Sequence, residues 1–243
     1  MLLAVDIGNT NITFGIFKGK NLCRRFDVPS QNYSRTKLKR LLSRAVVDKS
    51  VICSVVPRLT GPVSQGLASL TGAKPYIIGK DIVVPVKNLY RKPKQVGQDR
   101  LINAYAALSL FNAPVIVVDC GTAVTFDVIS SKREYLGGMI LPGLNISLTA
   151  LHERTALLPK VKLSKPREFI GRDTESSILS GLVYGMAALF DDLNRRIKQE
   201  VGSNALVVGT GGNIRLISGY CKSIAKIDPD LTLKGLALIA KNL

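Results

Sequence analysis

The chain has 243 residues, 46% of them hydrophobic, with 34 Lys and Arg against 17 Asp and Glu, four cysteines and one histidine. That supports a core of ordinary size in one large or two small domains, and the net charge of +17 points to anionic ligands. No run approaches about 18 uncharged apolar residues, which excludes a transmembrane helix. Cys23, Cys53, Cys120 and Cys221 form no CxxC pair, which argues against a zinc or disulfide framework and for a reducing cytoplasm. Asp6 interrupts the first apolar run and no basic segment precedes it, so no secretory signal is expected.

In chain order, Leu2–Phe14 reads as two strands joined by a tight turn at Gly8-Asn9-Thr10. Leu22–Val28 reads as a returning strand. Ser34 caps a helix whose Leu38, Leu41, Leu42 and Ala45 share one face. Val51–Val56 is a short strand closed by Pro57-Arg58, residues 63–71 are helical, and Pro75–Ile78 is a further strand. An irregular stretch with Pro85, Tyr90 and Pro93 leads into Gly97-Gln98-Asp99-Arg100, and a helix starts at Asp99. Pro114 ends it and opens a second hairpin, Val115–Phe126. Tyr135–Ile140 continues that sheet, a helix runs to about Arg154, and 155–170 forms a loop. A long helix, Ser177–Ile197, carries Gly181 and Gly185 on a packing face. Ala205–Val208 is a strand ending in Gly209-Thr210-Gly211-Gly212-Asn213, and Leu231 opens the last helix.

The two hairpins are copies. Asp6-Ile7-Gly8-Asn9-Thr10-Asn11-Ile12-Thr13 and Asp119-Cys120-Gly121-Thr122-Ala123-Val124-Thr125 superpose as Asp-x-Gly, then Thr, then a second β-branched run, with Asn9 as one extra residue. A single such turn reads as structure, because hairpin tips need Gly and Asx. Two copies read as phosphate clasps: Gly for close approach, N–H and hydroxyl donors for oxygens, a carboxylate for a cation or its water. The predicted architecture is therefore α/β and duplicated, residues 1–112 and 113–243, with a cleft between the halves. The Gly209–Asn213 turn offers bare backbone to a nucleotide or simply turns the chain. It is neither a P-loop nor a dinucleotide fingerprint, since Ile214 stands where a third Gly would be needed.

Basic clusters at Arg35–Arg40, Arg91–Lys94, Lys160–Lys162 and Arg195-Arg196 are scattered and do not alternate with aromatics, which are only 6%. They predict a solvated basic surface rather than a specific nucleic-acid groove. The lone His152 is read as packing or surface.

The ordered set of motifs resembles the type III pantothenate kinases over nearly the whole chain. It comprises Asp6–Thr13, Gly97-x-Asp99-Arg100, Asp119-x-Gly121-Thr122-Ala123, Gly137-Gly138-x-Ile-x-Pro-Gly143, Thr155-Ala-x-Leu-Pro159, Gly171-x-Asp-Thr174, Gly211-Gly212 and Asp230-Leu-Thr-Leu-Lys-Gly235. The resemblance implies the duplicated ribonuclease H-like, actin-like ATPase fold and transfer of the ATP γ-phosphoryl to pantothenate, the first step towards coenzyme A. By position it implies that Asp6, Ile7, Gly8, Asn9, Thr10, Asn11, Ile12, Thr13 and Thr122 hold ATP. Asp99 would be the proton acceptor, and Tyr90, Gly97, Gln98, Asp99, Arg100 and Thr174 would hold pantothenate. Asp119 would bind potassium or ammonium, and Mg2+ would accompany ATP with Asp6 as the nearest candidate carboxylate. A cytoplasmic homodimer is also implied.

Three departures from the family pattern stand out: Gln98 for a small residue, Lys92-Pro93 for Asn-Pro, and Arg154 before Thr155 where Gly is usual. Asp99 and Thr174 also fit helix caps, and Asp119 a turn-stabilising carboxylate. Two other classes stay open: a catalytically inactive kinase-like regulator binding nucleic acid through the basic surface, and another ATPase or sugar kinase of the same superfamily. Intact Asp6, Asp99, Arg100, Asp119 and Thr122 oppose the first. The Gly97–Arg100 helix start opposes the second.

Overall fold

The computed structural model describes residues 1–43 and 45–241. They divide into two units: Met1–Leu110 with the C-terminal helix, and Phe111–Asp230.

The first unit opens with β1 (Leu2–Ile7), β2 (Asn11–Lys18) and β3 (Asn21–Pro29), followed by α1 (Arg35–Leu42), β4 (Lys49–Ser54), α2 (Pro57–Thr71) and β5 (Tyr76–Ile77). A two-residue strand, β6 (Lys87–Asn88), and α3 (Gln98–Leu110) follow. The sheet order is β3-β2-β1-β4-β5; the hairpin strands run antiparallel, and β4 and β5 parallel to β1. The central strand β1 is apolar almost throughout because both its faces are covered. Leu3, Val5 and Ile7 point into one core with Leu38 and Leu67, whereas Ala4 lies in another with Val51, Cys53, Ile102 and Leu236. Ser34 caps α1 by accepting from the Lys37 N–H at 3.2 Å, as its sequence predicts. The helix read from residue 63 begins earlier: Pro57, taken as a strand stop, sits at its N1 position, where a missing N–H costs nothing.

The second unit repeats the plan. It contains β7 (Val115–Cys120), β8 (Ala123–Ile129), β9 (Glu134–Pro142), α4 (Leu144–Glu153), α5 (Thr174–Val201), β10 (Leu206–Thr210), α6 (Ile214–Ile217) and β11 (Lys226–Ile227). Its strands follow in the order β9-β8-β7-β10-β11, again with an antiparallel meander on one side of the first strand and parallel strands on the other. The duplication read from two turns therefore extends to the topology of both sheets. Ile116, Val118, Phe126, Val183 and Phe190 form the core under α5.

The last helix, α7 (Leu231–Ala240), follows the second unit in sequence but packs on α3, β1 and β4 of the first. Its Leu233 and Leu236 join Ile102 and Ala4 in one cluster. A second difference concerns α5. Gly181 and Gly185 were expected on a packing face, yet both are exposed with nothing near the position of a Cβ, and Ala188 beside them is exposed too. Val183, Ala187 and Phe190 bury the opposite side.

Candidate functional site

Each unit's hairpin carries its own group of candidate residues. In the first, Asp6 pairs with Thr13 and Ile7 with Ile12, so the strands close on Gly8-Asn9-Thr10. The Gly8 N–H bonds to the Asn11 carbonyl at 2.9 Å. Asn9, Thr10 and Asn11 are exposed at the tip. Ile7 and Ile12 are 0% exposed, so their side chains belong to the core and only their backbone could serve a ligand. The Thr13 hydroxyl donates to Asp27 Oδ1 at 2.6 Å across the β2–β3 pair. Sequence reading missed the residue that holds the tip. Ser30, 3% exposed, donates its hydroxyl to the Gly8 carbonyl at 2.6 Å and its N–H to the Thr10 carbonyl at 2.9 Å.

Gly97–Arg100 starts α3 in the same unit. The helix begins at Gln98, and the Leu101 N–H reaches the Gly97 carbonyl, so Gly97 takes the cap position. Asp99 lies inside the first turn rather than at the cap read from the sequence. Its Oδ1 accepts the Arg100 N–H at 2.8 Å, satisfying one free donor of the helix start. A helix N-terminus by itself favours the ionised form of a carboxylate. Instead burial raises its pKa, outweighing the lowering by the Arg100 N–H and guanidinium. Arg100 is 7% exposed. The amide end of Gln98 lies over Gly79, where a Cβ would meet its Cδ at 2.8 Å; the larger residue at this departure is accommodated by a bare backbone. Tyr90 is half-buried, its N–H bonded to Asn88 Oδ1 at 2.9 Å.

A second residue that the sequence did not single out links these two motifs. Cys53 of β4 pairs in parallel register with Asp6. Its thiol is fully buried, and burial, then the charges of Asp6 and Asp99, raise its pKa well above the ordinary value. Asp6 and Asp99 thus both act on one neutral thiol. The parallel β1–β4 pairing that creates this group joins segments more than forty residues apart, and no local pattern announces it.

In the second unit Asp119 pairs with Thr125 across the hairpin and with Thr210 of parallel β10. The tip closes through the Gly121 N–H and the Ala123 carbonyl at 3.0 Å, leaving Thr122 exposed. Two glycines clear the space around the Asp119 carboxylate. A Cβ on Gly121 would come within 3.3 Å of Oδ1, and one on Gly211 would collide with the same atom. Gly211 also has φ +90°, a conformation that residues with a Cβ resist. The Asn213 N–H bonds to the Cys120 carbonyl at 3.0 Å, tying the Gly211–Asn213 turn to the hairpin. A carboxylate with hydroxyls on both flanks, in a space kept open by glycine, fits a hard cation. The Cys120 thiol beside it is pushed up to about 12 by burial, then by Asp119 and Cys221.

Thr174 is the first residue of α5 and is exposed. It is not the cap. Asp173 fills that role, accepting the Ser176 N–H at 2.7 Å while its own N–H bonds to Ser176 Oγ at 3.1 Å. His152 Nδ1 faces the Leu158 carbonyl at 3.0 Å on the surface, in line with a structural reading. Among the described residues no three His, Cys, Asp or Glu form a metal cluster, and no helix is long and apolar enough to cross a membrane.

The family model for type III pantothenate kinase matches residues 2–196. The type III pantothenate kinase of Anaeromyxobacter dehalogenans (strain 2CP-C) is 40% identical over 250 residues, covering 98% of each chain. Among solved structures, a Campylobacter jejuni protein described as a Baf family transcriptional activator covers 99% of this chain and 98% of its own, with TM-score 0.60 and 21% identity. A glucokinase from an Antarctic psychrotroph covers 99% of this chain and 98% of its own, with TM-score 0.51 and 13% identity. Both structural likenesses are ones of fold, the duplicated ribonuclease H-like fold of actin-like ATPases and sugar kinases.

Proposed function

The chain belongs to the type III pantothenate kinase family, and from that membership and the two hairpins we propose how its residues divide the work of an ATP-dependent pantothenate kinase. The reaction moves the ATP γ-phosphoryl to the primary hydroxyl of pantothenate, giving 4'-phosphopantothenate. Such transfer asks the protein for alignment and charge neutralisation more than for covalent chemistry.

Asp99 is the proton acceptor in this reading. What supports it is its environment: a half-buried carboxylate at a helix start, more basic than a free one, in the motif the family uses for its acceptor substrate. A base near the attacking hydroxyl must hold a proton as the new P–O bond forms, and added basicity favours that. Gly97, Gln98 and Arg100 of the same motif, and Tyr90 ahead of it, would hold pantothenate, and the family resemblance gives Thr174 the same role. The Asp6–Thr13 tip and Thr122 would hold the ATP phosphates through backbone N–H groups and the hydroxyls of Thr10 and Thr122. The Thr13 hydroxyl, which donates to Asp27, would stiffen the hairpin instead.

Asp119 would hold potassium or ammonium, and Asp6 would act on Mg2+ through water. The cations supply positive charge against the triphosphate. The protein is further proposed to be a homodimer through the outward face of α5, where Gly181, Gly185 and Ala188 would let a second copy approach closely. The basic surface is read as an attractor of anionic ligands, without specific nucleic-acid recognition.

A coupled assay of ADP release with and without pantothenate tests the function directly. Pantothenate-dependent turnover is expected; ATP hydrolysis indifferent to pantothenate would overturn it. Light scattering at micromolar concentration tests the dimer, and a fully active monomer would refute it.

A further inference from the structure

Asp119 and Thr125 face each other in the antiparallel β7–β8 pair, so their side chains lie on one side of the sheet. On that side Thr125 donates its hydroxyl to Asp127 Oδ2 at 3.1 Å, and Tyr135 donates its phenol to Asp127 Oδ1 at 2.9 Å. Asp127 and Tyr135 are both 0% exposed. A buried carboxylate is tolerated only with such donors, and strand pairing does not call for one here. The apolar core of the unit, with Val124, Phe126 and Val128, lies on the other side.

A hydroxyl carries one proton. Because Thr125 spends its proton on Asp127, its oxygen offers only lone pairs towards Asp119. A carboxylate and an acceptor hydroxyl then stand side by side, an arrangement that favours a hard cation. We propose that Asp127 is a positioning residue for cation binding at Asp119: by taking the Thr125 proton it fixes Thr125 as an oxygen acceptor beside that carboxylate. This rests on the reading of Asp119 as the cation ligand. Asp127 itself does not touch the cation and acts through Thr125. Tyr135 occupies the other oxygen of Asp127 and leaves the Thr125 bond alone.

The test reads binding rather than turnover: calorimetry of the imido analogue of ATP, with potassium chloride replacing choline chloride at constant ionic strength. Asp127→Asn brings an amide donor that would bond to Thr125 Oγ1 and turn the hydroxyl proton towards Asp119. The potassium concentration giving half of the affinity gain should rise about tenfold. Thr125→Val should do the same, and Thr125→Ser should keep the wild-type midpoint. Tyr135→Phe should lower Tm yet leave the midpoint unchanged. A wild-type midpoint in Thr125→Val or in a folded Asp127→Asn overturns the proposal, as does a Tyr135→Phe shift equal to theirs. If Asp127→Asn does not fold, the two Thr125 variants decide. Asp119→Ala separates the levels: a full potassium effect surviving there fells the reading of Asp119. Its loss there, with Thr125→Val unaffected, fells the inference alone.

Discussion

Ser30 closes the first hairpin by bonding Gly8 through its hydroxyl, at 2.6 Å, while its own N–H takes the Thr10 carbonyl. Two carbonyls of the tip are thereby turned inward, and the tip presents its remaining polar groups outward. The clasp is held from the turn just after β3, outside the motif that defines it.

Ser30→Ala should therefore loosen the tip without touching a ligand. Leaving the part-buried Gly8 carbonyl short of a donor costs up to about 1–3 kcal/mol. The KM for ATP should rise several-fold while the KM for pantothenate stays put. Equal changes in both, or none, would place Ser30 outside the ATP site.

Asp99→Asn keeps shape and the acceptor for the Arg100 N–H, so the helix start survives. Turnover should fall by about 10²–10⁴, the usual worth of a positioned general base, with ATP affinity nearly unchanged. A loose, metaphosphate-like transition state favours the low end. Turnover within a few-fold of wild type would leave Asp99 as a helix-start residue only.

The raised pKa of Asp99 has two signatures in pH. Activity needs the ionised form, so the acid limb of kcat/KM should lie above the ordinary aspartate value of about 4. For stability the sign is reversed. The folded value exceeds the unfolded one, so ionisation of this half-buried carboxylate opposes folding at neutral pH. That penalty vanishes as pH falls through the folded value towards the unfolded one. Asp99→Asn should consequently be no less stable than wild type at pH 7, and any advantage should shrink on acidification. Thermal unfolding of both proteins between about pH 4 and 8 checks this. An advantage that grows with acid would reverse the assignment.

Gly211→Ala meets two obstacles at once: φ +90° and the Asp119 carboxylate where the Cβ must go. Strain of this kind costs about 1–3 kcal/mol. Displacing Asp119 should also weaken the potassium response of nucleotide binding. Gly212→Ala, with nothing near its Cβ position, is the control and should do neither. Matching losses in the two variants would point to the loop rather than the carboxylate.

The basic surface gives a last prediction. Arg35, Lys39 and Arg40 are exposed on α1, and Arg24 stacks over Phe26 at 5.2 Å instead of standing free for a base. Duplex DNA should bind weakly, without sequence preference, and be lost steeply as salt rises. Sequence-selective binding that survives physiological salt would revive a regulatory role.

Local signals carried much of this fold. The copies around Gly8 and Gly121, the Ser34 cap and the strand–helix alternation follow from residue types within a few positions, and the topology obeys them. Non-local pairings were illegible. The neighbours of Asp6 and Asp119 on their parallel strands, Cys53 and Thr210, are set by crossovers, and Ser30 reaches Gly8 from the turn after β3. The basicity of Asp99 is illegible for a related reason: its sequence position advertises a helix N-terminus, while its burial depends on what the rest of the unit packs around it.

The return of α7 to the first unit bears on how the chain is made. A ribosome completes β1 to α3 long before it emits Leu233 and Leu236, so Ala4 and Ile102 wait uncovered while the whole second unit is synthesised. The later-made half can reach its native state first, because all of its elements precede Leu231 while the first half still lacks α7. A polypeptide cut between Leu110 and Phe111 should then yield a sticky, protease-sensitive N-terminal fragment, and a synthetic peptide spanning residues 231–241 should rescue it in trans.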